Sequence, residues 1–187
     1  RTIRIDLPAP APGVQRTLTV HHYGRPGARP KAYVQAALHA DEIPGLLVAH
    51  HLLCDLETAQ HEGRILGEIV VVPVANPIGL SQHLNSRLLG RFDFDGAGNF
   101  NRGFPDLTGP ALEQVRGQLG ADPVVNVALI RAALHTALAE QKALRETAAL
   151  QRVLRGLGLD ADVVVDLHGD SEAELHLYAV QERRYQG

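Results

Sequence analysis

The stretch "KAYVQAALHADEIPGLLVAHHLLCDLETAQHEGRILGEIVVVPVAN", residues 31–76, changes its pattern twice, and those changes decide the fold. "KAYVQAAL" (31–38) reads as a largely buried strand. "PGLLVAHHLLCDLETA" (44–59) reads as a helix with Pro44 at its first position, where no N–H is needed. "GEIVVVPVAN" (67–76) is a nearly continuous β-branched run, which suits a strand covered on both faces of its sheet. Strand, helix and strand in that order point to an α/β architecture.

The flanking sequence extends this pattern. "RTLTVHHYG" (16–24) alternates apolar and polar residues, as an edge strand does, with His21 and His22 upon it. Residues 1–14, rich in Pro and Ala, read as an extended lead-in. Residues 1–30 are thus a lead-in and edge strand, and 31–187 the body of the domain. Residues 77–106 are loop-like around "FDFDGAGNFNRGFPD", and so long a loop in a compact domain is usually functional. Residues 111–158 carry a helical pattern, expected as two helices broken near "GADP" (120–123). "ADVVVDLHGD" (161–170) and "ELHLYAV" (174–180) read as further strands, the first of them buried. The expected fold is α/β, with a mixed, largely parallel sheet flanked by helices on both faces.

A chain of 187 residues favours one domain with a sizeable core. Its apolar content of 45% and charged content of 21% are those of an ordinary globular protein. A formal charge of −3 gives no reason to expect nucleic acid or anionic membrane as a partner. No apolar run approaches the roughly 20 residues of a membrane span, and no signal peptide is visible. The single cysteine, Cys54, fits a reducing compartment, so cytoplasm is expected, with Cys54 packing as a small apolar residue inside the helix. The chain has no methionine and stops at "ERRYQG" just after a strand, so a longer parent protein is expected. Homo-oligomerisation is left open.

The chemistry gathers at strand ends. His39 immediately follows the strand 31–38, and Glu42 precedes the helix that starts at Pro44. His168 closes the strand "VVVDL", followed at once by Gly169. Open α/β sheets bind ligands at the carboxyl ends of their strands. A close ligand pair plus one distant ligand is the usual pattern of a catalytic zinc site that leaves a position for water, though His₂Glu sets accept several divalent ions. Asp166 shares a face with His168; it can hold that imidazole by its second nitrogen, or pair with a nearby Arg or backbone group. In "GNFNRGF", Asn101 and Arg102 lie beside glycine, and Arg offers a donor fork that matches a carboxylate. Arg87 and Arg91, upstream in the same loop, are both candidates to face a developing oxyanion. His176 alternates with apolar residues on the last strand and reads as structural; His50 and His51 sit mid-helix, where at most one can face the core, and His61, His83 and His135 read as surface residues.

These motifs resemble the succinylglutamate desuccinylase/aspartoacylase family, relatives of the zinc carboxypeptidases. "HADE" resembles its His-x-x-Glu, "VVPVANPIG" its strand and Asn-Pro turn, "NFNRGFPD" its Asn-Arg segment, and "DLHGD" the strand bearing the last histidine. The resemblance runs from about Lys31 to Tyr178 with the motifs in the family's order. It implies one zinc ion per chain on His39, Glu42 and His168, with Asn101 and Arg102 gripping a substrate carboxylate. It also implies an Arg that polarises the scissile carbonyl; Arg91 is assigned to it, with Arg87 still open. Where the family often has Asp, this chain has Asn99, and no role is carried over to it. The family's catalytic Glu lies on a strand beyond the last ligand, expected past residue 187. The implied activity is zinc-dependent hydrolysis of an amide bond in an N-acyl amino acid or similar small carboxylate substrate. The alternatives are a zinc carboxypeptidase and a metal- or ligand-binding domain without the general base.

Overall fold

The computed structural model describes residues 1–169 and 177–179. One mixed sheet contains β1 (Thr2–Asp6), β2 (Thr17–Gly24), β3 (Lys31–Ala36), β4 (Glu68–Val72) and, closing the chain order, β9 (Val163–Leu167). Its spatial order is β1-β2-β4-β3-β9. β4, β3 and β9 run parallel, whereas β2 is antiparallel to both β1 and β4. Parallel neighbours need a crossover, and α1 (Ile43–His61) supplies it between β3 and β4.

The β-branched run of β4 shows why helices cover both faces. Val70 and Val72 join Leu18, Val20 and Tyr33 against Leu150 and Leu154 of α5 (Glu146–Leu159). Ile69 and Val71 point the other way and pack with Tyr23, Leu52, Leu53 and Leu56 beneath α1. Val70, Val71 and Val72 are essentially fully buried. Each such side chain contributes roughly 1.5–3 kcal/mol of burial energy. Between β4 and β9 lie a short helix α2 (Pro77–Leu80) and two small hairpins, β5 (His83–Leu84) with β6 (Arg87–Leu88) and β7 (Phe92–Asp93) with β8 (Gly98–Asn99). α3 (Thr108–Val115) and α4 (Pro123–Glu140) follow as a helical pair.

Several expectations need correction. Residues 2–6 form an edge strand, because Ile3 and Ile5 alternate with polar residues and pack on the core; β2, with His21 and His22, therefore lies inside the sheet. Residues 108–159 form three helices, not two. The break before Pro123 is as expected, with Asp122 capping α4 through the Val124 and Val125 N–H groups. The second break, at 141–145, has no local breaker residue. It follows from packing: α4 buries Ala137 and Leu138 against Leu107, whereas α5 must bury Leu150 and Leu154 against the sheet. β9 is less buried than its apolar run suggested, with Val163 and Val164 53% and 57% exposed, since it borders the sheet among the described residues. Cys54 is exposed, because α1 buries the stripe Gly45, Ala49 and Leu56. The strand read at 174–180, with His176, lies outside the described residues except for 177–179, which carry no strand. Among the described residues, no helix is long and apolar enough to cross a membrane.

Candidate metal centre

Because β3, β4 and β9 are parallel, their carboxyl ends share one rim, and each end contributes to the centre. Beyond β3 the buried Ala37 takes a left-handed φ of 58° and swings the chain out of the sheet. That conformation costs a non-glycine residue on the order of 1–2 kcal/mol. Beyond β4 the fully buried Asn76 fixes the next residue: its Nδ2 donates to the Leu38 carbonyl at 2.9 Å while its Oδ1 accepts from the Gly79 N–H at 2.8 Å. His39 follows, and a turn closed by the Glu42 N–H on the His39 carbonyl (3.1 Å) brings Glu42 back beside it. Glu42 occupies the N-cap of α1 but does not cap the helix with its side chain. The side chain is committed elsewhere.

Glu42 is the hub. Its Oε1 lies 2.9 Å from His39 Nδ1 and 2.6 Å from an Arg91 nitrogen. Its Oε2 lies 2.8 Å from His168 Nδ1 and accepts from the Gly169 N–H at 2.9 Å. His168 reaches this position because β9 ends at Leu167, whose carbonyl packs against Gly45 in the first turn of α1. A Cβ on Gly45 would stand 3.0 Å from that carbonyl oxygen. The two imidazole rings are 5.0 Å apart, edge to face. One ligand atom from each of His39, Glu42 and His168 falls within 4.8 Å of the others, so the group can bind a single metal ion.

The outer nitrogens are also held. His39 Nε2 lies 2.8 Å from Asn99 Oδ1, and His168 Nε2 lies 2.9 Å from Asp166 Oδ2. Each ring thus turns Nδ1 toward Glu42 and Nε2 toward an acceptor, an arrangement that fixes a ligand imidazole in orientation. Among the described residues, Asp166 thus faces the His168 ring and no Arg, and its Oδ1 is buried without a partner. Burial opposes the charge on Glu42, but the Gly169 N–H, then His168 and His39, outweigh it and hold the carboxyl below its usual range. The Asp166 hydrogen bond, helped by Glu42 and opposed by burial, raises the His168 imidazole to about 9. The donor set, the inward Nδ1 atoms and the carboxylate between them fit a divalent cation.

The 77–106 loop closes the mouth. Gly90 permits this, since a Cβ there would come within 2.5 Å of the Asp41 nitrogen. Its carbonyl accepts from Ala40 N–H, and the next residue, Arg91, lies on Glu42. Arg87 pairs with Leu84 in the neighbouring hairpin. Asn101 reaches the centre, with Nδ2 3.3 Å from His168 Nε2. The Arg102 guanidinium donates to the Asn101 carbonyl at 2.7 Å and is exposed. Two residues escaped the sequence reading. Asn99 lay in view, yet nothing local showed that it faces His39. Gln151, on α5, donates to the carbonyls of the same loop; its signal was a lone amide on an apolar helix face.

The catalytic-domain family of succinylglutamate desuccinylases and aspartoacylases matches residues 28–186. No curated protein matches the chain. Among solved structures, a succinylglutamate desuccinylase/aspartoacylase family protein from Shewanella amazonensis SB2B is 28% identical with a TM-score of 0.78. The alignment covers 90% of this chain and 46% of that one. A second, from Shewanella frigidimarina NCIMB 400, shares the fold at 23% identity and a TM-score of 0.73, over 90% of this chain and 45% of the other. The chain thus spans less than half the length of these two relatives. With the match running through both strand-end histidines and the loop between them, the chain belongs to the succinylglutamate desuccinylase/aspartoacylase family.

Proposed function

We propose that the protein is a zinc-dependent hydrolase that removes the acyl group from an N-acyl amino acid or a similar small carboxylate substrate. The observation that carries this reading is the meeting of His39, Glu42 and His168 on one rim, beneath a loop that brings Arg91 and Asn101 to the same mouth. Membership of the succinylglutamate desuccinylase/aspartoacylase family supports a deacylase. Two imidazoles and one carboxylate are a set that zinc accepts with a position left open. An ion there supplies Lewis acidity toward a carbonyl and acidifies water.

The chain's own residues do the rest. His39 and His168 present Nδ1, kept in place by Asn99 and Asp166. Arg91, freed from Glu42 Oε1, is a flexible donor at the mouth that can turn to the carbonyl oxygen as charge develops on it. Asn101 and Arg102 bind the substrate carboxylate, Arg102 by exchanging the Asn101 carbonyl for a charged acceptor. None of these residues is assigned as the general base.

The test is an assay of the full-length protein on N-acetyl-L-aspartate, N-succinyl-L-glutamate and short peptides, before and after chelation and zinc return. Release of the acyl group, lost on chelation and restored by zinc, is expected. Cleavage of peptides alone would replace this reading with a carboxypeptidase. Turnover by fully metal-stripped protein would remove the metal from the account.

A further inference from the structure

Gln151 sits where an apolar residue would be expected. It lies on the buried face of α5, 8% exposed, between Leu150 and Leu154 of the main core. A buried amide must be hydrogen-bonded or it destabilises the fold. Its Nε2 donates to the Arg102 carbonyl at 2.8 Å and, more weakly, to the Phe100 carbonyl at 3.4 Å. Both acceptors belong to the loop of Asn101 and Arg102, 49 and 51 residues away in sequence. On its other side the loop is tied to the metal centre: Asn99 Oδ1 accepts from the Asn101 N–H at 2.8 Å and faces His39. Phe100, 1% exposed, anchors the same loop in the core.

We infer that Gln151 is a positioning residue for carboxylate binding: through the carbonyls of Phe100 and Arg102 it sets the height of the loop and hence the aim of Asn101 and Arg102. The inference rests on the carboxylate-binding reading of those two residues. The loop turns at Gly103, whose φ is 71°, so its local backbone is not fixed by regular structure. The Asn101 and Arg102 N–H groups are held by Asn99, through Oδ1 at 2.8 Å and the carbonyl at 3.0 Å, and the Gln151 amide holds the Arg102 carbonyl that follows them. A displacement of about 1 Å at a binding group can cost on the order of 10²-fold.

The experiment compares wild type, Gln151→Met, Arg102→Ala and the double variant in the zinc-loaded full-length protein. Met keeps the length and apolar packing of the side chain but has no donor. Gln151→Glu, of the same shape, is a second variant that sets an acceptor against two carbonyls. The probes are N-acetyl-L-aspartate and its α-carboxamide. Gln151→Met should raise KM for the dicarboxylate by roughly 10-fold or more. Its kcat should stay within about twofold, as expected when only binding shared by ground and transition states is lost. Zinc content should not change, because the ligands sit on other elements. In the double variant Gln151→Met should add much less than its own effect to the KM change of Arg102→Ala, since only Asn101 is left for it to aim. An unchanged KM, an equal rise for the carboxamide, or additivity in the double variant would overturn the inference while leaving the proposed function in place. An Arg102→Ala variant with wild-type KM would overturn the carboxylate-binding reading itself, and this inference with it.

Discussion

Arg102→Ala in the full-length protein is expected to lower kcat/KM for the proposed carboxylate substrate by roughly 30-fold or more, at the lower end of the 2–5 kcal/mol lost when one partner of a desolvated charge pair is removed. The lower end applies because Arg102 is exposed in this structure. Its guanidinium now donates to the Asn101 carbonyl, a neutral acceptor, and a substrate carboxylate offers a stronger, charge-assisted bond. Lys at this position should recover only part of the loss, since it restores the charge without the planar fork. The control is the same substrate with its carboxylate converted to an amide, which wild type should handle poorly and Arg102→Ala little worse. Equal losses on both substrates would place Arg102 in the structure of the loop or at the reacting carbonyl.

The second large effect is expected at Glu42. Its side chain, 10% exposed, serves His39, His168, Arg91 and the Gly169 N–H at once. Glu42→Ala leaves two histidines and an arginine facing one another without the carboxylate that joins them. Breaking a fully buried pair in this way costs about 3–5 kcal/mol. Here Arg91 and His168 are 46% and 32% exposed, so solvent screens part of the loss and about 2 kcal/mol is expected. Urea unfolding of metal-free protein measures it as a lower midpoint with an unchanged slope. Zinc at about 100 times its dissociation constant should stabilise wild type by about 2.7 kcal/mol. That gain should vanish in Glu42→Ala. A zinc-dependent shift of wild-type size in the variant would show that the ion binds elsewhere.

Much of this centre was legible because strand ends are legible. The β-branched run ending at Asn76 and the Pro at the start of α1 mark the two ends of a crossover unit, and His39 and Glu42 lie at its turn. His168 was found by the same logic at the end of β9. Asp166 followed from the two-residue period of a strand. What stayed hidden depends on contacts between distant segments. Asn99 meets His39 only because the β7–β8 hairpin folds over the rim, and Gln151 meets the loop only because α5 packs beneath it. The choice between Arg87 and Arg91 was likewise open in the sequence, and the close approach of Gly90 to Ala40 and Asp41 carries Arg91 onto Glu42. The edge strand β1 was obscured by the Pro-rich residues that follow it, and the second break in the helical segment by the absence of any breaker. Burial of β9 and Cys54 was misjudged for a different reason. Apolar composition reports what a residue tolerates, whereas exposure depends on which neighbours are present.

The most direct test is the zinc content of purified protein after equilibration with zinc and removal of free ion, measured by elemental analysis for wild type, His39→Ala, Glu42→Ala and His168→Ala. The proposed ligand set leads us to expect about one ion per wild-type chain and close to none in each variant, with Asn99→Ala retaining the ion but binding it roughly 10–100-fold more weakly, as loss of an outer partner does. Equal metal content in wild type and all three ligand variants would contradict the account.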